Sequence, residues 1–182
     1  MDKKLLLQIA YDAIESSFTH NDIDRAKLLR ENPELKEDGA VFVTLRKNGR
    51  LRGCIGSLIA HRPLLDDLIY NAKAAAFNDP RFQPLSLSEL NNIEIEISLL
   101  SAPKKLEYKD KEELKKKIRP NIDGVILQLG NHKATFLPQV WEEIPDFDLF
   151  FDHLCQKAGL RAEGCLDRHP TIYTYQVEKI EQ

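Results

Sequence analysis

Leu5, Leu6, Ile9, Ala10, Ala13 and Ile14 recur at helical spacing, with Asp12 and Glu15 among the polar positions between them. That period gathers the apolar side chains on one face and predicts an amphipathic first helix packed on a core. A polar stretch follows to Gly39, broken by Asn32-Pro33, and reads mostly as loop. From Ala40 to Lys47 the chain is rich in β-formers, and Asn48-Gly49 marks a two-residue type I′ turn, whose central residues need positive φ. The returning strand is Arg50 to Ser57. A two-residue loop sets the register, so Lys47 faces Arg50, Arg46 faces Leu51, Leu45 faces Arg52, Val43 faces Cys54 and Phe42 faces Ile55.

Between Arg62 and Phe77 a broad stripe of Leu64, Leu65, Leu68, Ile69, Ala72, Ala75 and Ala76 predicts a helix. Its alanine-rich end permits close approach of another backbone, and Pro80 stops it by disfavouring helical geometry at Asp79. Ile93, Ile95, Ile97 and Leu99 then alternate with Glu94, Glu96 and Ser98, the pattern of a half-buried strand. Asp110 to Ile118 is a short charged helix. Val125 to Leu129 and Lys133 to Leu137 flank Gly130-Asn131-His132 as a second hairpin. Phe147 to Ala158 forms another helix, stopped by Gly159, and Ile172 to Val177 closes the chain as a strand. Hairpins without regular strand–helix–strand alternation indicate an α+β fold with mainly antiparallel sheet and packed helices.

A length of 182 residues suits a single domain, 1–182, whole or in two lobes. Twenty-six basic against 29 acidic side chains leave −3, no field that draws the molecule to nucleic acid or an anionic membrane. The opening Met1-Asp2-Lys3-Lys4-Leu5-Leu6-Leu7 imitates a secretory signal until Gln8, Asp12 and Glu15 break it. No apolar run approaches the roughly 20 residues of a membrane span. Cys54, Cys155 and Cys165 are odd in number and far apart, which implies no disulfide framework and makes the cytoplasm the economical location.

Cys54 leads the candidate chemistry. Arg52 and Cys54 share a strand face, a guanidinium beside a thiol favours the nucleophilic anion, and flanking glycines admit a ligand. Against this, the hairpin register puts Val41, Val43 and Leu45 on the face of Cys54. Free cysteine is a frequently buried type, so on chemistry alone packing is the favoured role. Asn71, Asn78, Asp79 and Arg81 form a second constellation, a ligand site or, more simply, a loop fixed by an ion pair. Glu94 and Glu96 read as the solvated side of a sheet rather than an acid/base pair. His153, Cys155, Cys165 and His169 have zinc-ligand types without knuckle spacing, so no metal is assigned. Lys115-Lys116-Lys117 reads as a solvated face. There is no Gly-rich phosphate loop, G-x-S-x-G elbow or H-E-x-x-H motif, and no cofactor is expected.

The run Phe42-Val43-Thr44-Leu45 followed by Leu51-Arg52-Gly53-Cys54-Ile55-Gly56 resembles the AMMECR family, named after the Alport-syndrome and elliptocytosis chromosomal region. Asn71-Ala72, Asp79-Pro80-Arg81-Phe82, Glu96-Ile97-Ser98, Leu137-Pro138-Gln139-Val140-Trp141 and Lys157-Ala158-Gly159-Leu160 extend the resemblance from about Gly39 to the closing strand. Within that family the chain resembles the bacterial and archaeal form, protein A of the AmmeMemoRadiSam set. Where many bacterial members carry Trp after Ala-Gly-Leu, this chain has Glu163-Gly164-Cys165.

The resemblance implies two unequal lobes with the signature near a cleft, and partners in a Memo-type, dioxygenase-like protein and a radical S-adenosylmethionine enzyme. It supplies a setting and no reaction. It raises the weight on Arg52, Cys54, Asn71, Asp79 and Arg81 as a working surface. Two functions follow as expectations. One is an enzyme or modifying factor with Cys54 as nucleophile or redox thiol and Arg52, Asn71, Asp79 and Arg81 binding an anionic small molecule or protein substrate. The other is a non-catalytic assembly module for those partners. The geometric expectation is that Arg52, Asp79 and Arg81 gather at one place, with both arginines around the single acid.

Overall fold

The computed structural model describes residues 1–182. It is α+β, with seven α-helices and two four-stranded sheets. Its contacts divide into two compact units, residues 1–100 with 178–182, and residues 101–177.

In the first unit, α1 (Lys3–Thr19) begins where the Asp2 side chain accepts the amides of Lys4 and Leu5, and it buries Leu6, Ile9, Ala10, Ala13 and Ile14. The expected loop before Gly39 instead holds α2 (Arg25–Glu31), capped by Asp24, and a 3-10 turn, Pro33–Lys36, that drives Leu35 into the core. The sheet is built from β1 (Ala40–Lys47), β2 (Arg50–Gly56), β3 (Ile93–Leu100) and β8 (Val177–Glu181), in the order β2-β1-β3-β8. Asn48 and Gly49 take positive φ, as the tight turn requires. Val41, Val43 and Leu45 of β1 meet Ile93, Ile95 and Ile97 of β3 in one core.

Helix α3 (Leu64–Phe77) lies over β1 and β2 and against α1. It starts two residues later than expected because Pro63 disfavours helical geometry at Arg62. Near its other end the backbones nearly touch: a methyl group placed on Gly53 would overlap the Ala75 carbonyl oxygen. Helix α4 (Leu87–Leu90) follows, set by a capping box between Ser86 and Glu89.

The second unit carries β4 (Lys104–Leu106), β5 (Gly124–Leu129), β6 (His132–Phe136) and β7 (Thr171–Tyr175) in the order β4-β7-β5-β6. Helices α5 (Lys111–Lys117), α6 (Val140–Glu143) and α7 (Phe147–Lys157) belong to it. Trp141 stacks on Phe150 at 3.6 Å between centroids. Its indole nitrogen donates to the Asp123 carbonyl at 2.9 Å.

Two expectations fail here. Cys155 and Cys165 are joined in a disulfide, because Gly159 (φ +81) ends α7 and the chain folds back to bring the two Cα atoms to 6.5 Å. The expected single closing strand is two strands, β7 in the second sheet and β8 in the first.

Candidate functional site

The hairpin register slips once. Arg46 pairs with Leu51, but Leu45 pairs with Gly53, so Arg52 is the extra residue of a β-bulge. Beyond it Thr44, not Val43, faces Cys54, and Val43 faces Ile55. One inserted residue exchanges the two faces of the strand. Cys54 therefore leaves the side of Val41, Val43 and Leu45 and joins Thr44, half-buried, with its Sγ accepting the Thr44 hydroxyl at 3.2 Å. The packing role expected from the simple register has lost its basis.

Strand β2 is the edge of its sheet. Antiparallel alternation turns the peptide groups of Cys54 outward, away from β1, and residues after α3 meet them there. Asp79 Oδ2 accepts the Cys54 amide at 2.9 Å, and Arg81 Nη2 reaches the Cys54 carbonyl at 3.3 Å. The same guanidinium forks onto Asp79, with Nε at 3.0 Å and Nη2 at 2.7 Å. Asp79 is buried while the Arg81 side chain is 55% exposed. The Arg81 hydrogen bonds, helped by the Cys54 amide and opposed by burial, hold the Asp79 carboxyl far below the ordinary aspartate range. Asp79 in turn raises the pKa of Arg81.

Arg52 does not join this pair. Its Nε and Nη2 fork onto Glu89, each at 3.1 Å, and Lys47 reaches the same carboxylate at 2.9 Å. Arg52 foremost, then the Ser86 amide and Lys47, hold the Glu89 carboxyl well below its ordinary value. Each acid thus has its own guanidinium, which corrects the expectation of two arginines around Asp79. What Arg52 and Arg81 share is Phe82, whose ring centroid lies 6.0 Å from one guanidinium carbon and 5.5 Å from the other.

Asn71 belongs to a different cluster. Its Nδ2 donates to the Val41 carbonyl, the Ser57 hydroxyl and Asp67. Asp67, fully buried, also accepts from the Val41 amide, Ser57 and Arg62. Cys54, Asp79 and Arg81 are brought together, Arg52 stands beside them across Phe82, and Asn71 serves the opposite end of β2.

Thr44, Asp67 and Glu89 are the polar residues that pattern alone did not single out as a site. Glu89 was within reach, since Ser86-Leu87-Ser88-Glu89 before an apolar residue is a capping-box signature. Glu94 is exposed as expected. Glu96 is not: its side chain is largely covered, near Arg46 at 3.8 Å and Lys179 at 3.9 Å, and it pairs with Thr44. Three of the four residues with zinc-ligand side chains are diverted, with both sulfurs in the disulfide and His169 bonded to the Tyr108 carbonyl.

A sequence model of the AMMECR1 family matches residues 7–180. The chain belongs to the AMMECR1 family. Among its AMMECR1 relatives, SSO0193 of Saccharolobus solfataricus is 41% identical over 170 residues, 90% of this chain and 74% of that one. A protein of Methanothermobacter thermautotrophicus is 36% identical over 177 residues, 96% of this chain and 91% of its own length. The crystal structure of the uncharacterized protein PH0010 from Pyrococcus horikoshii superposes with a TM-score of 0.74 at 35% identity. The match covers 96% of this chain and 88% of that one. The AMMECR1 fold is thus that of a solved structure, and no helix of the chain is long and apolar enough to cross a membrane.

Proposed function

We propose that this AMMECR1 protein is a thiol-dependent enzyme or modifying factor working at the Leu51–Gly56 strand on an anionic small molecule or protein substrate. Cys54 is the nucleophile or redox thiol. The observation that carries the reading is the bulge at Arg52, which takes the one free cysteine off the core face and sets it beside the Thr44 hydroxyl. Asp79 positions Cys54 through its amide. Arg81, half in solvent and adjoining the Cys54 carbonyl, is the anion anchor.

The test compares alkylation of the folded chain by neutral iodoacetamide and anionic iodoacetate, read by mass spectrometry. Cys54 reacts with both, and the iodoacetate-to-iodoacetamide rate ratio falls about tenfold in Arg81→Gln, the scale of one charge-assisted contact. A Cys54 inert to both reagents in the folded chain sinks the thiol reading.

A second reading, an assembly module for a Memo-type protein and a radical S-adenosylmethionine enzyme, draws support from one feature. No histidine or carboxylate is hydrogen-bonded to the Cys54 sulfur, and Asp79 and Arg81 direct their bonds at the main chain of β2. It requires co-purification with such partners that Arg52→Ala or Arg81→Ala weakens; binding indifferent to both substitutions removes this surface from the interface.

A further inference from the structure

Past Cys54, β2 runs into an open depression of about 630 Å³ whose lining includes Ile55, Ser57, Ile59, Arg62, Tyr70 and Asn71. That volume lies within the range of small-molecule sites, roughly 300–1,000 Å³. Arg62 is pinned there from two directions. Its Nε donates to buried Asp67 at 2.7 Å, and its guanidinium carbon lies 4.2 Å from the Tyr70 ring centroid. Neither terminal nitrogen of Arg62 has a partner in the chain, and the side chain is 25% exposed.

Asn71, only 1% exposed, commits its Nδ2 to three acceptors, while its Oδ1 accepts nothing from the chain. Asp67 receives the Val41 amide, the Ser57 hydroxyl, Arg62 Nε and Asn71 Nδ2. Its charge is satisfied without the outer guanidinium nitrogens. Exposed Ile59 and Tyr70 flank these groups with apolar surface.

We propose that this depression binds a small organic carboxylate that carries an N–H donor next to its carboxylate and an apolar or aromatic body, the chemistry of an aromatic α-amino acid. The two free guanidinium nitrogens form a fork for the carboxylate. Asn71 Oδ1 accepts the donor, and Tyr70 and Ile59 cover the body. A monoanion fits better than phosphate, because Asp67 already balances the charge of Arg62. A dianion would bring two negative charges to an ion pair that is already neutral.

The experiment is a titration of the isotope-labelled full chain followed by amide NMR, with L-phenylalanine, L-phenylalaninamide, phenylpropanoate and orthophosphate as probes. L-Phenylalanine shifts the Gly56, Ser57 and Asn71 side-chain resonances with a Kd on the order of 1 mM. The amide lacks the carboxylate and phenylpropanoate lacks the donor, so each binds at least about tenfold more weakly. Arg62→Lys keeps a charge beside Asp67 but removes the fork, and Tyr70→Ala trims a side chain that is 58% exposed and leaves the fold intact. Both variants weaken L-phenylalanine binding about tenfold. Unmoved resonances, equal binding of acid and amide, equal competition by orthophosphate, or wild-type affinity in both variants would overturn the proposal. The readout is binding, so its outcome is separate from that of alkylation at Cys54.

Discussion

Asp79 holds Cys54 by its amide and leaves the thiol to Thr44, so the peptide and the side chain of one residue answer to different partners. The pair Asp79–Arg81 presents an acceptor and a donor to the outward peptide groups of Cys54, as a neighbouring strand would. It closes the exposed edge of β2 where an unpaired strand would otherwise invite association with another chain.

Asp79→Ala removes both the acceptor of the Cys54 amide and the partner of Arg81. The expected loss is about 1–3 kcal/mol in urea unfolding, the cost of stranding a partly buried donor. Hydrogen exchange at the Cys54 amide should accelerate in the same variant. An unchanged exchange rate would refute the clamp.

Acid should weaken the fold through Asp79 and Glu89. Both carboxyls have lowered pKa values in the folded chain, so the unfolded chain binds protons first as pH falls. Their contribution is fully present above about pH 5 and is lost as pH drops through the ordinary values, 3.8 and 4.5, toward the folded ones. The combined Asp79→Asn, Glu89→Gln variant should show a shallower decline of the urea midpoint between about pH 5 and 2. An unaltered slope would assign the acid sensitivity elsewhere.

Gly53→Ala forces a methyl group onto the Ala75 carbonyl. The contact is backbone on backbone, with no side chain to swing aside, and the expected destabilisation is about 2–3 kcal/mol. Gly49→Ala meets open space but keeps a positive φ, and should cost only about 1–2 kcal/mol. Thermal melts of the two variants give the order; the reverse order would contradict the close approach of α3 to β2.

Replacing both Cys155 and Cys165 by serine opens a loop with a separation of 10 residues. Constraint of the unfolded chain over that span is worth roughly 2–3 kcal/mol. Thiol titration of the denatured, unreduced chain should find Cys54 alone, and reduction should reveal all three cysteines. Three reactive thiols before reduction would rule the bond out.

The parts legible in the sequence are those with local causes. Asn48-Gly49 specifies its own turn, and alternation from Ile93 to Leu99 specifies a strand. The bulge at Arg52 escaped because its extra residue is not a glycine and any strand residue can fill that place. Its consequence reached furthest, since it decided the face of Cys54. Asp79 and Arg81 were visible as a polar turn, but the pairing of Arg52 with Glu89 depends on α4, four residues long and too short for periodicity to reveal. The disulfide depends on a chain reversal after Gly159 that brings together cysteines from a helix and a loop, and spacing alone does not encode it.

Strand β8 returns to a sheet whose other three strands end at Leu100. Seventy-seven residues, Ser101 to Val177, therefore leave the ribosome before Glu178–Gln182 can cover the outer edge of β3. During synthesis the alternating isoleucines of β3 stand at an open border, while everything needed for the second unit is already made. A purified variant lacking residues 178–182 should accordingly resist protease in residues 101–177 and aggregate through the uncovered edge of β3, and a variant that keeps them should not aggregate.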